Sequence, residues 1–140
     1  SGGGVMDMFE AYSHAIAALA LWGILVSVLG ANSTRGRTAE NRCDCGKPTR
    51  NYDDWWYRSE RAFMNAVEGS GPFIAVTVAA ILIGGAPFLV NLFASLFIVA
   101  RVGMAVVHIA TVNQAARSLC FMVGLLTILA QAILVLKAAF

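Results

Sequence analysis

The stretch Arg61-Ala-Phe-Met-Asn65-Ala-Val-Glu68-Gly-Ser-Gly-Pro72 sets strong polar groups at the head of a segment that otherwise suits lipid. At about 100° per residue, positions 61, 65, 68 and 72 fall in a narrow sector of one helix face, which carries a cation, an amide, an anion and a proline. Behind them, the apolar run from Phe73 to Ile83 is too short to cross a bilayer core, which takes roughly 20 residues. The helix must therefore begin near Arg58 to Ala62, and Arg61, Asn65 and Glu68 then lie inside the membrane profile. Polar groups left against hydrocarbon are costly, so these three must face protein, a water-filled cavity or a polar ligand.

Composition agrees with a membrane reading. The chain has 140 residues, 59% of them hydrophobic and 13% charged, which excludes a large soluble core and a second domain. The net charge of +2 is small and gathered in one loop, so nothing points to nucleic acid. Ser1 to Gly4 read as an appended scar before a native start near Val5 or Met6 that lacks a positively charged signal-peptide head. Residues 5–140 are expected to form one all-α transmembrane domain, with helices at about 10–31, 58–83, 88–110 and 117–138.

Outward from the central stretch, Asp7, Glu10 and His14 precede the apolar run Ala15 to Ala31, which is long enough for the first helix. His14 reads as an interfacial group, and Met8 and Phe9 suit the same zone. The segment 32–57, with Asn32, Gly36, Gly46 and Pro48, has no helical or strand period and is expected to be an aqueous loop. It holds Arg35, Arg37, Arg42, Lys47 and Arg50, whereas the turn Gly84 to Pro87 is uncharged. The positive-inside rule puts the long loop in the cytoplasm and both termini opposite. Asp53-Asp54-Trp55-Trp56-Tyr57 reads as an interfacial aromatic belt, a lid over a cavity being the alternative. Cys43 and Cys45 lack a second Cys or His pair for a metal and are expected to be free thiols in a reducing cytoplasm. Cys120 reads as a small core residue.

In the third helix, Arg101, Met104 and His108 share a face. Arg101 is the deepest cation, roughly 16 Å from the helix end near Val112 at 1.5 Å per residue. An Arg101–Glu68 ion pair holding the bundle together and a ligand-binding role are both open. His108 is nearer the surface, as an interfacial or a functional group. Asn113 suits the N-cap of the fourth helix. Arg117 in its first turn either snorkels towards lipid headgroups or, with the free helix amides, makes an anion site. Gly69, Gly71 and Pro72 are expected to bend the second helix.

With loops after the first and third helices on one side, Arg61, Asn65, Glu68, Arg101, His108 and Arg117 share one half of the membrane. Three arginines against one glutamate suit a small polyanion bearing an amine: arginines for carboxylates, Glu68 for an ammonium, Asn65 for an amide. Glutathione has that set of groups. Its thiol becomes a nucleophile at neutral pH if a cation stabilises the anion, and Arg117 is best placed for that. The lipid side would supply apolar electrophiles. A small multidrug transporter would carry a carboxylate midway along the first helix, and Ala15 to Ala31 has none.

Glu60-Arg61-Ala62, Asn65, Glu68 and Pro72-Phe73, then Ala100-Arg101-Val102, then Arg117-Ser-Leu with Phe121, Val123 and Gly124, together resemble the membrane-associated proteins in eicosanoid and glutathione metabolism, and within them the microsomal glutathione transferases. The resemblance covers about Arg58 to Phe140, with no gap needed between Arg101 and Arg117; the first helix and long loop agree in layout only. It implies a homotrimer of four-helix subunits with glutathione between subunits in the cytoplasmic half. Arg61, Asn65, Glu68 and Arg101 would bind glutathione, and Arg117 would stabilise its thiolate. The second substrate would be a hydrophobic electrophile or a lipid hydroperoxide; no metal is implied. His108 stands where that family usually has a tyrosine near the thiol, and would donate the same hydrogen bond. Met104, Phe63 and Gly69 also depart from the usual pattern. A non-catalytic lipid-binding scaffold of the same fold is the alternative.

Overall fold

The computed structural model describes residues 9–35, 40 and 42–140; the expectations for Ser1 to Met8, Gly36 and Arg37 lie outside them. Four helices follow in order: α1 (Ser13–Ser33), α2 (Trp55–Leu82), α3 (Pro87–Ala110) and α4 (Gln114–Ala139). All four are long and apolar enough to cross a bilayer, so the chain is an all-α, four-helix membrane bundle. The central pair, α2 and α3, touches both outer helices, while α1 and α4 scarcely meet.

Small residues allow this packing. Ala15 and Ala18 on α1 and Ser59, Ala62 and Ala66 on α2 are buried at helical spacing, which lets backbones approach without a hydrophobic drive between helices. Where the first amides of α1 lack intrahelical partners, Asn91 of α3 supplies one. Its Oδ1 accepts from Ala15 N at 2.9 Å, and its Nδ2 donates to Ala11 O at 2.8 Å.

The turn between α2 and α3 is tight and uncharged, as expected. Gly84 takes φ +75°, its N–H bonds Ile81 O at 3.2 Å, and Gly85 N bonds Ala80 O at 2.9 Å. These two bonds close the end of α2 on a left-handed residue, and Pro87 then starts α3 where no N–H is needed. Gly84→Ala is expected to lower stability by about 1–2 kcal/mol, read as the unfolding midpoint in detergent.

Two helix starts differ from expectation. Asp54 caps α2, its carboxylate accepting from Trp56 N at 3.0 Å, so Trp55-Trp56-Tyr57 form the first turn of the helix and not a belt ahead of it. Trp56 is buried, and its indole N–H donates to Ser33 O at the end of α1. Asn113 does cap α4, at 3.1 Å to Ala116 N, but the helix opens at Gln114, three residues before Arg117. Arg117 N is consequently bonded to Asn113 O and is no longer a free amide. α2 continues as one helix through Pro72, whose missing N–H leaves the Glu68 carbonyl without an intrahelical donor.

Cys43 and Cys45 are joined in a disulfide, against the expectation of free thiols. A turn closed by Cys43 N to Lys47 O at 2.7 Å, with Gly46 at φ +83°, brings their Cα atoms to 5.2 Å, inside the range a disulfide bridges. Lys47 ties this turn to α2 through Glu60 at 2.7 Å.

The core centres on three rings. Phe73 and Phe97 stack at 4.0 Å, and Trp22 meets them edge-on at 5.7 and 5.0 Å. Trp22 Nε1 donates to Ser70 Oγ at 2.9 Å. Towards the far end of the bundle, Gln131 of α4 is fully buried, and its Nε2 donates to Thr77 Oγ1 of α2 at 3.2 Å.

Candidate functional site

Arg61 and Asn65 face the same side of α2, one turn apart, and meet His108 from α3 and Arg117 from α4. They line a cleft of about 430 Å³ with Tyr52, Met104 and Phe121. No carboxylate is among its lining residues. Arg117 and His108 are only 9% and 4% exposed. The Nε atoms of Arg61 and Arg117 are buried with no partner among the described residues. Unpartnered buried donors are costly, and the two arginines that carry them line a cleft that an anion would suit. Asn65 Nδ2 and His108 Nδ1 lie 3.5 Å apart, so the amide orients the imidazole ring.

A second cavity, of about 230 Å³, adjoins the first through the shared walls Asn65 and Phe121. Glu68 and Arg101 both line it, with Gly69, Pro72, Phe97 and Gly124. They form no ion pair: among the described residues the one pair within 4.0 Å is Lys47–Glu60. Arg101, 7% exposed, instead lays its guanidinium over Trp22 at 5.6 Å and Phe97 at 5.9 Å. Aromatic faces can hold a desolvated cation, so Arg101 is supported without an ion pair to Glu68, which remains exposed. Gly69 and Gly124 flank this arginine: a Cβ on either would stand in ordinary contact with it, at 3.7 or 3.5 Å.

The six residues singled out by sequence are thus brought to two adjoining spaces, Arg61, Asn65, His108 and Arg117 in one and Asn65, Glu68 and Arg101 in the other. Sequence reasoning missed Tyr52. This residue lies in the aperiodic loop, and its ring sits against Arg117, with the guanidinium carbon 4.9 Å from the ring centre. The Arg117 guanidinium beside the hydroxyl holds the Tyr52 phenol below its ordinary pKa; burial opposes this, and Arg61 acts in the same sense as Arg117. The Asp53-Asp54 pair was the available signal: reading Asp54 as a cap starts α2 at Trp55 and brings Tyr52 within one turn of it.

Fold and site together define a multi-pass membrane protein with a cationic cleft opening between α2 and α4. The family model of the MAPEG family matches residues 12–137, nearly the whole chain, and the chain belongs to that family. The family includes glutathione transferases and related proteins, non-catalytic members among them. Comparison with curated proteins gives no match.

Proposed function

We propose that this protein is a membrane-bound glutathione transferase that joins the glutathione thiolate to hydrophobic electrophiles, with reduction of lipid hydroperoxides as a further use of the same thiolate. The observation that carries this reading is the pair of arginines, Arg61 and Arg117, whose buried Nε atoms have no partner among the described residues, on a cleft with no carboxylate lining it. Such a cleft attracts a polyanion. The adjoining Glu68 and Arg101 offer an ammonium acceptor and a carboxylate donor, and Asn65 an amide partner. In this reading Arg61, Asn65, Glu68 and Arg101 bind glutathione, Arg117 stabilises the sulfur anion and His108 donates a hydrogen bond to it. One pH unit off the thiol pKa needs only about 1.4 kcal/mol of preferential interaction with the anion. Assembly as a homotrimer would bury the exposed Glu68 face between subunits, and the positive-inside bias would turn the cleft to the cytoplasm.

The largely apolar wall of the second cavity, Phe97, Phe121, Leu125 and Ile128, favours a lipid-binding scaffold as the competing reading. Equilibrium binding of glutathione to the detergent-purified protein, followed by an ultraviolet difference spectrum at the thiolate band, separates the two. Binding with a thiolate signal that disappears in Arg117→Ala is expected. A folded protein that binds no glutathione would overturn the transferase reading in favour of the scaffold.

A further inference from the structure

We infer that Tyr52 is a thiolate-binding residue of this site, its phenolic O–H donating to the sulfur that Arg117 holds; this rests on the glutathione reading above.

The position of Tyr52 is built. Its carbonyl accepts from Arg58 Nη1 at 2.7 Å, and the same guanidinium donates through Nε to Ile109 O of α3 at 2.9 Å. Tyr57, in the first turn of α2, meets the ring edge-on at 5.2 Å. Arg117 of α4 lies against its face at 4.9 Å. A loop residue is thereby fastened to α2, α3 and α4 at the mouth of the cleft, where it is 37% exposed and within reach of a ligand.

The chemistry follows from what surrounds the hydroxyl. Arg117 from α4 and Arg61 from α2 act on the Tyr52 hydroxyl, Arg58 of α2 holds its backbone carbonyl, His108 of α3 lines the same cleft, and the Tyr57 ring is at its edge. Asp53 and Asp54 follow it in the chain, and the Asp54 carboxylate is engaged by Trp56 N. Arg61 and Arg117 have donors only, so they can satisfy the lone pairs of the phenol but cannot accept its proton. Among the described residues no acceptor takes that proton, which leaves the O–H for an incoming anion. A phenol is also well matched to this ligand. A thiol ionises near 9 in solution and tyrosine near 10, and neighbouring cations bring the phenol down towards the thiol, which strengthens an O–H···S⁻ bond. His108, more buried and turned to Asn65, approaches from another element, so the two donors would not compete for one place.

The test is a pH titration of the thiolate band of bound glutathione in the detergent-purified wild type and in Tyr52→Phe, with S-methylglutathione complexes as blanks. Tyr52→Phe keeps the ring on Arg117 and removes only the hydroxyl. The bound thiol is expected to ionise about one pH unit higher than in the wild type, because a hydrogen bond to a charged group is lost. Glutathione affinity should stay within about threefold, and turnover at neutral pH should fall about tenfold and recover on the alkaline side. An unchanged thiol pKa and rate in Tyr52→Phe overturns the role of the hydroxyl while leaving the transferase reading intact. A wild type without any thiolate band overturns both.

Discussion

Arg117→Ala is expected to lower the conjugation rate by about 10²–10³-fold, the usual cost of removing one preorganised donor to a developing or reacting anion. The expectation comes from position. Arg117 is almost completely buried, its Nε has no partner among the described residues, and its guanidinium carbon lies 4.9 Å from the Tyr52 ring centre on a cleft lined by no carboxylate. In the proposed site that guanidinium would be available to the sulfur. Glutathione affinity should fall less, because in the proposed site Arg61, Asn65, Glu68 and Arg101 would hold other parts of the tripeptide. Arg117→Lys keeps the charge but loses the planar fork, and should recover only part of the rate. Steady-state kinetics beside the ultraviolet titration check this: a mutant that retains the wild-type rate and thiolate band would remove Arg117 from the chemistry.

Trp22→Ala is expected to cost about 3–5 kcal/mol of stability, as truncation of a buried aromatic generally does. Trp22 is the contribution of α1 to the ring cluster with Phe73 and Phe97, it bonds Ser70 of α2, and its face supports the Arg101 guanidinium. Removing it opens a cavity and withdraws one of the two aromatic faces from a buried cation. Trp22→Phe retains a ring and loses the hydrogen bond to Ser70, for about 1 kcal/mol. Unfolding in detergent measures both, and glutathione binding by the two variants shows how far Arg101 depends on its aromatic seat. Equal stability of Trp22→Ala and wild type would contradict the packing described.

The parts of the site that sequence reasoning reached are those governed by helix periodicity. Arg61, Asn65 and Glu68 recur on one face of α2, and Arg101, Met104 and His108 on one face of α3, because 3.6 residues per turn leaves no other arrangement. The parts it missed depend on contacts between elements. Arg101 could have paired with Glu68 by spacing alone; Phe97, one turn before it on α3, was within reach of the same periodicity, but that Trp22 also faces it is a matter of how α1 meets α3. Tyr52 has no periodic neighbours, and its place is set by Arg58 reaching back to its carbonyl. Trp56 looked interfacial because tryptophan commonly is, yet a partner carbonyl at Ser33 draws it inside.

The Thr77–Gln131 hydrogen bond works as a depth gauge for the cleft. Counted back towards the loop side at 1.5 Å per residue, Arg61 lies about 24 Å from Thr77 and Arg117 about 21 Å from Gln131, so the two guanidinium groups come to nearly the same height. A slip of α4 by one turn, about 5.4 Å, would strand a buried amide and a hydroxyl among apolar side chains and carry Arg117 out of line with Arg61. Two polar side chains at the far end of the bundle thereby pin the vertical alignment on which both arginines depend, although neither lines the cleft.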